Sequence, residues 1–371
     1  MMEEKILPEE IELSEIVLKK TNHAFERIRQ EDCVIMSRKN KRTWLKSQAA
    51  VIAGACILAV SSASVAAAIH HYWGRGMNGN IQASDTQQQQ LTNDSIAEIY
   101  PEKADYESLK VVDNGVTIAP DTVIVDERFA YMSFTISGYQ VSEDKEPGFE
   151  SVNVDSKDVP LNMAGSIYDG IVPDENGTPV YEDGSAIQFG EDGDVISHYL
   201  DENGNLEYII KAFVADETDT MLGKTVNVEF ENLGTLYKTD FTNEKDGVWK
   251  FEMKLPDVSS AKHFDINKEL VGADITVTDA DISPISMRVN YTVSADMEAN
   301  EDEIGIPEMK GVILKDGTRI PYLADGGNVG YTDEAHVYYI TGYDRVVDVE
   351  EIQSLLLLVK PGEEPVSVDI Q

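Results

Sequence analysis

The residues best suited to chemistry are oxygen-rich turns. Asp174-Glu-Asn-Gly, Asp192-Gly-Asp194 and Asp201-Glu-Asn-Gly-Asn205 each carry a fragment of a calcium loop. A complete loop needs oxygen ligands at alternate positions, a glycine at the sixth and a bidentate Glu at the twelfth. None of the three reaches that spacing, and hairpin turns account for the same residues. His70-His71 are adjacent but stand alone, and His198, His263 and His336 are scattered with no Ser or Cys signature around them. Cys33 lacks a Cys-x-x-Cys partner, and His23 stands ten positions before it, so a structural zinc site lacks ligands. No phosphate-cradling loop and no His-Glu-x-x-His occur. A carboxylate pair in some cleft follows from abundance alone and carries no information. The expectation is a protein without catalytic activity, cofactor or metal.

Charge narrows the class further. The 371 residues hold 68 Asp+Glu against 30 Lys+Arg, a net charge of −38. A nucleic-acid surface needs the opposite excess, and a polybasic lipid anchor is excluded over most of the chain. Two cysteines, Cys33 and Cys56, make no disulfide framework. The excess is also unevenly placed. Residues 1–47 hold nine acids and ten bases, which leaves 59 acids and 20 bases beyond them.

At that divide lies the one long apolar run, residues 49–69, 21 residues without a charge. As a helix it spans roughly 31 Å, the thickness of a bilayer's hydrocarbon core. Arg38, Lys39, Lys41, Arg42 and Lys46 precede it, and after it only Arg75 is basic over a long stretch. The positive-inside rule then puts the N-terminus in the cytoplasm and the acidic remainder outside. Trp44 and Tyr72-Trp73 have the spacing of an interfacial aromatic belt. A cleaved signal peptide is the first alternative, but the charged region before the run is too long for one. A buried helix of a soluble domain is the second, and it leaves the one-sided basic cluster unexplained.

Inside, residues 8–29 read as an amphipathic helix that starts at Pro8. Leu13, Ile16, Val17, Ala24 and Ile28 form one stripe, widened by Leu18 and Phe25 and interrupted by Lys20. So short a tail cannot build a core, and its apolar face needs a partner. A groove in a cytoplasmic protein is the preferred partner, with the inner leaflet or self-association as the alternative.

Outside, residues 71–103 contain several glycines and the run Gln87-Gln-Gln-Gln90 and read as a flexible stalk. From about Ser108 the apolar period becomes two. Met132, Phe134 and Ile136 alternate with polar residues, as do Trp249, Phe251, Met253 and Leu255. The block around Leu355 predicts a strand buried on both faces. Asn-Gly and Asp-Gly pairs at Asn114, Asn176, Asp183, Asp192, Asn203 and Asp246 predict turns. Residues 115–137 align without gaps onto 272–294, offset by 157, with identities at Gly115/Gly272, Ile118/Ile275, Thr135/Thr292 and Ser137/Ser294. The expected fold is mainly β, with two immunoglobulin-like β-sandwich domains outside, each opening with the same strand pair. One transmembrane helix and one short cytoplasmic amphipathic helix complete it. The expected divisions are a tail over 1–47, a span over 48–70, a stalk over 71–103, and sandwiches over 104–265 and 266–371.

The stretches KNKRTWLKSQAAVIAGA and NGVTIAPDTVIVDERFAYMSFTISG resemble the domain of unknown function 4179 family of Gram-positive bacterial single-pass membrane proteins. GVWKFEMKLPDV followed by ADITVTDADISPISMRVNYTV looks like the immunoglobulin-like domain that often follows it, so the resemblance covers most of residues 40–295. The resemblance implies an anti-sigma factor, with an extracytoplasmic-function sigma factor as the cytoplasmic partner and an unknown ligand outside. The zinc-binding His-x3-Cys-x2-Cys of well-understood anti-sigma domains is absent, so sigma binding would use the tail stripe instead. A membrane-anchored surface binding or structural module, without a signalling role, is the other reading.

Overall fold

The structure, a computed structural model, describes residues 73–371 apart from 142–144, 191–192, 217, 238–239, 271–272, 294–304, 334, 361 and 371. The tail stripe Leu13, Ile16, Val17, Ala24 and Ile28 and the apolar run 49–69 lie outside the described residues. Among the described residues no helix is long and apolar enough to cross a membrane.

The described residues begin with two short helices, α1 (Arg75–Asn80) and α2 (Asp85–Asn93). Ser84 starts α2 with a capping box: its side chain accepts from the Gln87 amide, while the Gln87 side chain accepts from the Ser84 amide. Eleven strands follow: β1 (Ala97–Ile99), β2 (Val111–Asp113), β3 (Val116–Val125), β4 (Phe129–Ser137), β5 (Glu146–Asp155), β6 (Leu161–Ile167), β7 (Ile171–Pro173), β8 (Pro179–Tyr181), β9 (Leu206–Val214), β10 (Thr225–Tyr237) and β11 (Asp240–Lys254). The second unit holds β12 (Lys262–Leu270), β13 (Ile275–Ile282), β14 (Ser286–Val293), β15 (Glu308–Leu314), β16 (Arg319–Ile320), β17 (Ala324–Tyr331), β18 (His336–Tyr343), β19 (Ile352–Leu358) and β20 (Val366–Asp369). The fold is mainly β and every named strand pair is antiparallel.

In the first unit one large sheet runs β1-β3-β4-β9-β6 with β2 also on β3, a second runs β11-β10-β5, and β7-β8 form a separate two-stranded ribbon. In the second, β12-β13-β14-β18-β17 accompanies β16-β15-β19-β20. The order β3-β4-β9-β6 therefore recurs as β13-β14-β18-β17, and β11-β10-β5 recurs as β20-β19-β15. The offset of 157 runs through the register. Pro120 pairs with Phe134 and Val277 with Tyr291; Val123 pairs with Met132 and Ala280 with Val289. Both hairpins carry an irregularity just beyond Pro120 and Val277, so the bulge is repeated with the strands.

Each unit's two sheets share one apolar core. In the first, Phe230 meets Phe134 and Phe149 with ring centroids 5.1 and 4.9 Å apart, and the buried Trp249 donates its indole N–H to the Val116 carbonyl at 3.2 Å. In the second, Tyr291, Leu355 and Leu357 lie in a separate cluster. β10 alternates buried and partly exposed over Thr225–Phe230, whereas β9 is buried at every position. The reason is that the outer face of the β9 sheet is covered as well.

The cover is residues 73–96, part of the 71–103 expected as a flexible stalk and in fact folded. Trp73, Met77, Ile81 and Leu91 pack with Ile124, Phe129, Tyr131 and Phe213 of the first unit and Ile285 of the second. Trp73, expected in an interfacial belt, is buried there. Two further expectations shift. Asp246-Gly247 is no turn: it bulges from β11 opposite Asn232, whose side-chain oxygen accepts the Gly247 amide at 3.2 Å. The boundary between units falls before Lys262 rather than after residue 265, because all of β12 pairs with β13.

Candidate functional site

Residues 73–82 form a strap that both units grip, and the grip is polar as well as apolar. Asp121 on β3, Ser133 on β4 and Glu207 on β9 are buried beneath it. The Gly74 amide donates to Asp121 at 3.0 Å and the Gly76 amide to Glu207 at 2.5 Å. Thr122 and Ser133 hydroxyls donate to the same Asp121 oxygen at 2.9 and 3.2 Å. A side chain at Gly74 would meet both carboxylates, since a Cβ there would lie 2.5 Å from Asp121 Oδ2 and 2.9 Å from Glu207 Oε2. At Gly79 a Cβ would lie 2.1 Å from the Tyr168 hydroxyl oxygen. Close approach of the strap backbone therefore requires glycine at both positions.

Burial pushes the Glu207 carboxyl up to about 7; the Asp121 charge adds to this, while the Gly76 amide and Arg75 oppose it. Asp121 is also raised by burial, against hydrogen bonds from Thr122, Gly74 and Ser133. An acid whose folded pKa exceeds its unfolded value costs stability once it ionises. That cost is absent below the unfolded value near 4.3 and complete above about 7. Wild type should therefore lose about 3 kcal/mol relative to Glu207→Gln between pH 4 and pH 8. Denaturant unfolding of both proteins at the two pH values measures it, and equal slopes would refute a buried, raised Glu207.

Two further links tie the strap to its surroundings, and a third joins the two units directly. Arg75 pairs with Glu182 at 2.7 Å and donates to the His198 carbonyl at 2.7 Å, both in the segment between β6 and β9. Gln82 donates its amide to the Asp344 carbonyl and accepts from Val346, each at 2.8 Å, in a parallel bridge to the second unit. Asp126 at the tip of the β3–β4 hairpin accepts from the Ser283 hydroxyl at 2.5 Å and from the Ser286 hydroxyl. Asp126 and Ser283 are equivalent at the 157-residue offset, so the same hairpin tip of each unit meets the other.

The turn acids have a structural role. Asp174 Oδ1 accepts from the Asn176 and Thr178 amides at 2.8 and 2.7 Å, and Asp201 Oδ1 treats Asn203 and Asn205 likewise. His198 stacks on Tyr181 at 4.4 Å, while His263 and His336 bond Asp281 and Asp333 at 2.8 Å. Among the described residues no group of three or more His, Cys, Asp or Glu could hold a metal ion.

Sequence reasoning missed Asp121, Glu207 and the strap glycines. The available signal was a charge inside an apolar strand: Glu207 in LEYIIKAFV and Asp121 in TIAPDTVIV. A carboxylate there needs a buried donor, which a Gly-rich segment elsewhere can bring.

No family model matches the chain, and no curated protein matches it. Among solved structures it is similar to one titled "The crystal structure of the conserved domain protein from Bacillus anthracis". The similarity has a TM-score of 0.42 at 13% identity, and it covers 68% of this chain and 78% of that one.

Proposed function

We propose that the chain is a single-pass membrane regulator, an anti-sigma factor in kind. Its tail stripe would bind an extracytoplasmic-function sigma factor, and its outer units would respond to an envelope signal. The observation that carries the reading is the strap. It follows the apolar run in the chain within a few residues and is clasped by both outer units at once. A change in how the units sit together therefore alters the segment that enters the run. The resemblance to the 4179 family supports the same assignment, and the basic residues before the run support a cytoplasmic tail. We read both units as immunoglobulin-like sandwiches. In support, β3-β4-β9-β6 over β5-β10-β11 has the four-plus-three order of a constant-type domain, and the second unit repeats it.

The test is on the tail. Changing Leu13, Val17 and Ile28 to Asp should relieve repression of the cognate promoters by tenfold or more, because three charges cannot enter an apolar groove. Repression equal to wild type would end the docking idea. A surface module without signalling remains the second reading, favoured by the acidic outer surface. Deleting residues 3–36 separates the two, since a surface module keeps its activity and a regulator loses it.

A further inference from the structure

The segment between β6 and β9, residues 168–205, stands apart in charge and in exposed surface. It holds ten Asp and Glu and neither Lys nor Arg. Four turns stiffen it: Gly177, Gly184, Gly193 and Gly204 each donate their amide to the carbonyl three residues back, at 2.8–3.1 Å. Its polar outline carries apolar side chains that a lone β-arm has no reason to expose. Phe189 is 63% exposed and Leu200 44%, and Val195 and Ile196 are also exposed. Of eleven large hydrophobics exposed among the described residues, these four lie within twelve positions. Phe189 and Val195 are bridge partners and share one face of a small hairpin, while the Ile196 amide bonds the Gln188 carbonyl at 3.0 Å and puts Ile196 on the other face. Glu175, Asp183, Asp194 and Glu202 are exposed in the same segment.

We propose that this arm is a docking surface for a cationic amphipathic peptide, whose apolar face would cover Phe189 and Val195 while its Lys or Arg side chains meet the arm's exposed carboxylates. Charge complementarity selects the occupant. An anionic lipid surface or an acidic protein would be repelled by an arm that contains no Lys or Arg. A purely cationic partner would leave the apolar group uncovered. The stiff turns lower the ordering cost of binding. The proposal deepens the sensor reading by naming a ligand class, yet the binding it predicts stands apart from any promoter response.

The experiment uses the full chain in a neutral detergent, with detergent background subtracted. Two probes of eighteen residues are compared by fluorescence anisotropy: a Lys/Leu peptide with helical amphipathic spacing, and oligolysine. The Lys/Leu peptide should bind at least tenfold tighter. Phe189→Ser with Val195→Ser should remove that advantage, whereas Val112→Ser with Tyr237→Ser, exposed elsewhere, should leave it. Glu175→Gln with Glu202→Gln should weaken both probes more than Glu252→Gln with Glu269→Gln. All eight positions are exposed or terminal in their turns, so matching unfolding midpoints check that the variants fold. Equal affinity for the two probes, or equal losses from arm and control variants, would reduce the effect to net charge and overturn the proposal. Binding retained with unchanged promoter output would instead overturn the sensor reading.

Discussion

Met77→Asp should free the strap from both units while leaving the β cores folded. Met77 is fully buried between Trp73, Ile81 and the outer face of the β9 sheet. A carboxylate placed there would leave water for the apolar cluster of Trp73, Ile81, Ile124 and Phe213, and the buried acids Asp121 and Glu207 that bond the strap would repel it. Burying an unpaired charge costs several kcal/mol, of the order of 3–5, which exceeds what one short helix contributes. The predicted readout is hydrogen exchange. Amides of residues 73–82 should exchange at least a hundredfold faster, while those of β10 and β11 keep their protection. Met77→Leu conserves volume and should cost less than about 1.5 kcal/mol. If strap amides stay protected in the Asp variant, the strap is held by something other than its buried face. On the regulator reading, the same variant should shift promoter output to the signalled level without any ligand.

The second large effect belongs to the first unit's core. Trp249→Ala should destabilise that unit by about 3–5 kcal/mol, the range for removing a large aromatic from a packed interior. Three losses combine. The ring is fully buried, it packs edge-on to Phe149 at 6.1 Å, and its N–H satisfies the Val116 carbonyl on the opposite sheet. Without it that carbonyl is buried and unpaired. Trp249→Phe should recover most of the packing but not the hydrogen bond, and so fall between the two. Denaturant midpoints followed by near-ultraviolet circular dichroism give the comparison. A loss below about 1 kcal/mol in the Ala variant would mean that the two sheets do not close over this ring.

The glycine pattern of the strap shows why short segments mislead a reader of sequence. GRGMNGN has the composition of a linker, and six helical residues give no periodicity to detect. Its order comes from partners that are 47 and 131 positions away, Asp121 and Glu207. Those acids are in turn opaque in sequence, because nothing local states that an amide from the strap will reach them. The Asp246-Gly247 pair failed for a related reason: turn chemistry and bulge chemistry use the same residues, and only the partner strand decides between them.

Strand periodicity, most of the hairpin turns and the 157-residue repeat were determined by sequence alone. Each depends on neighbours within about twenty residues or on a direct comparison of two stretches, and the alternation of Met132, Phe134 and Ile136 needs no knowledge of what lies across the core. Tertiary structure decided everything that joins those parts: the repeated order of seven strands, the meeting of Asp126 with Ser283, and the burial of the strap. The physical reason is that a strand's pattern records that one of its faces is covered, but not by which element. β9 is buried throughout because two different layers cover it, the core beneath and the strap above, and only the folded chain brings the second layer there.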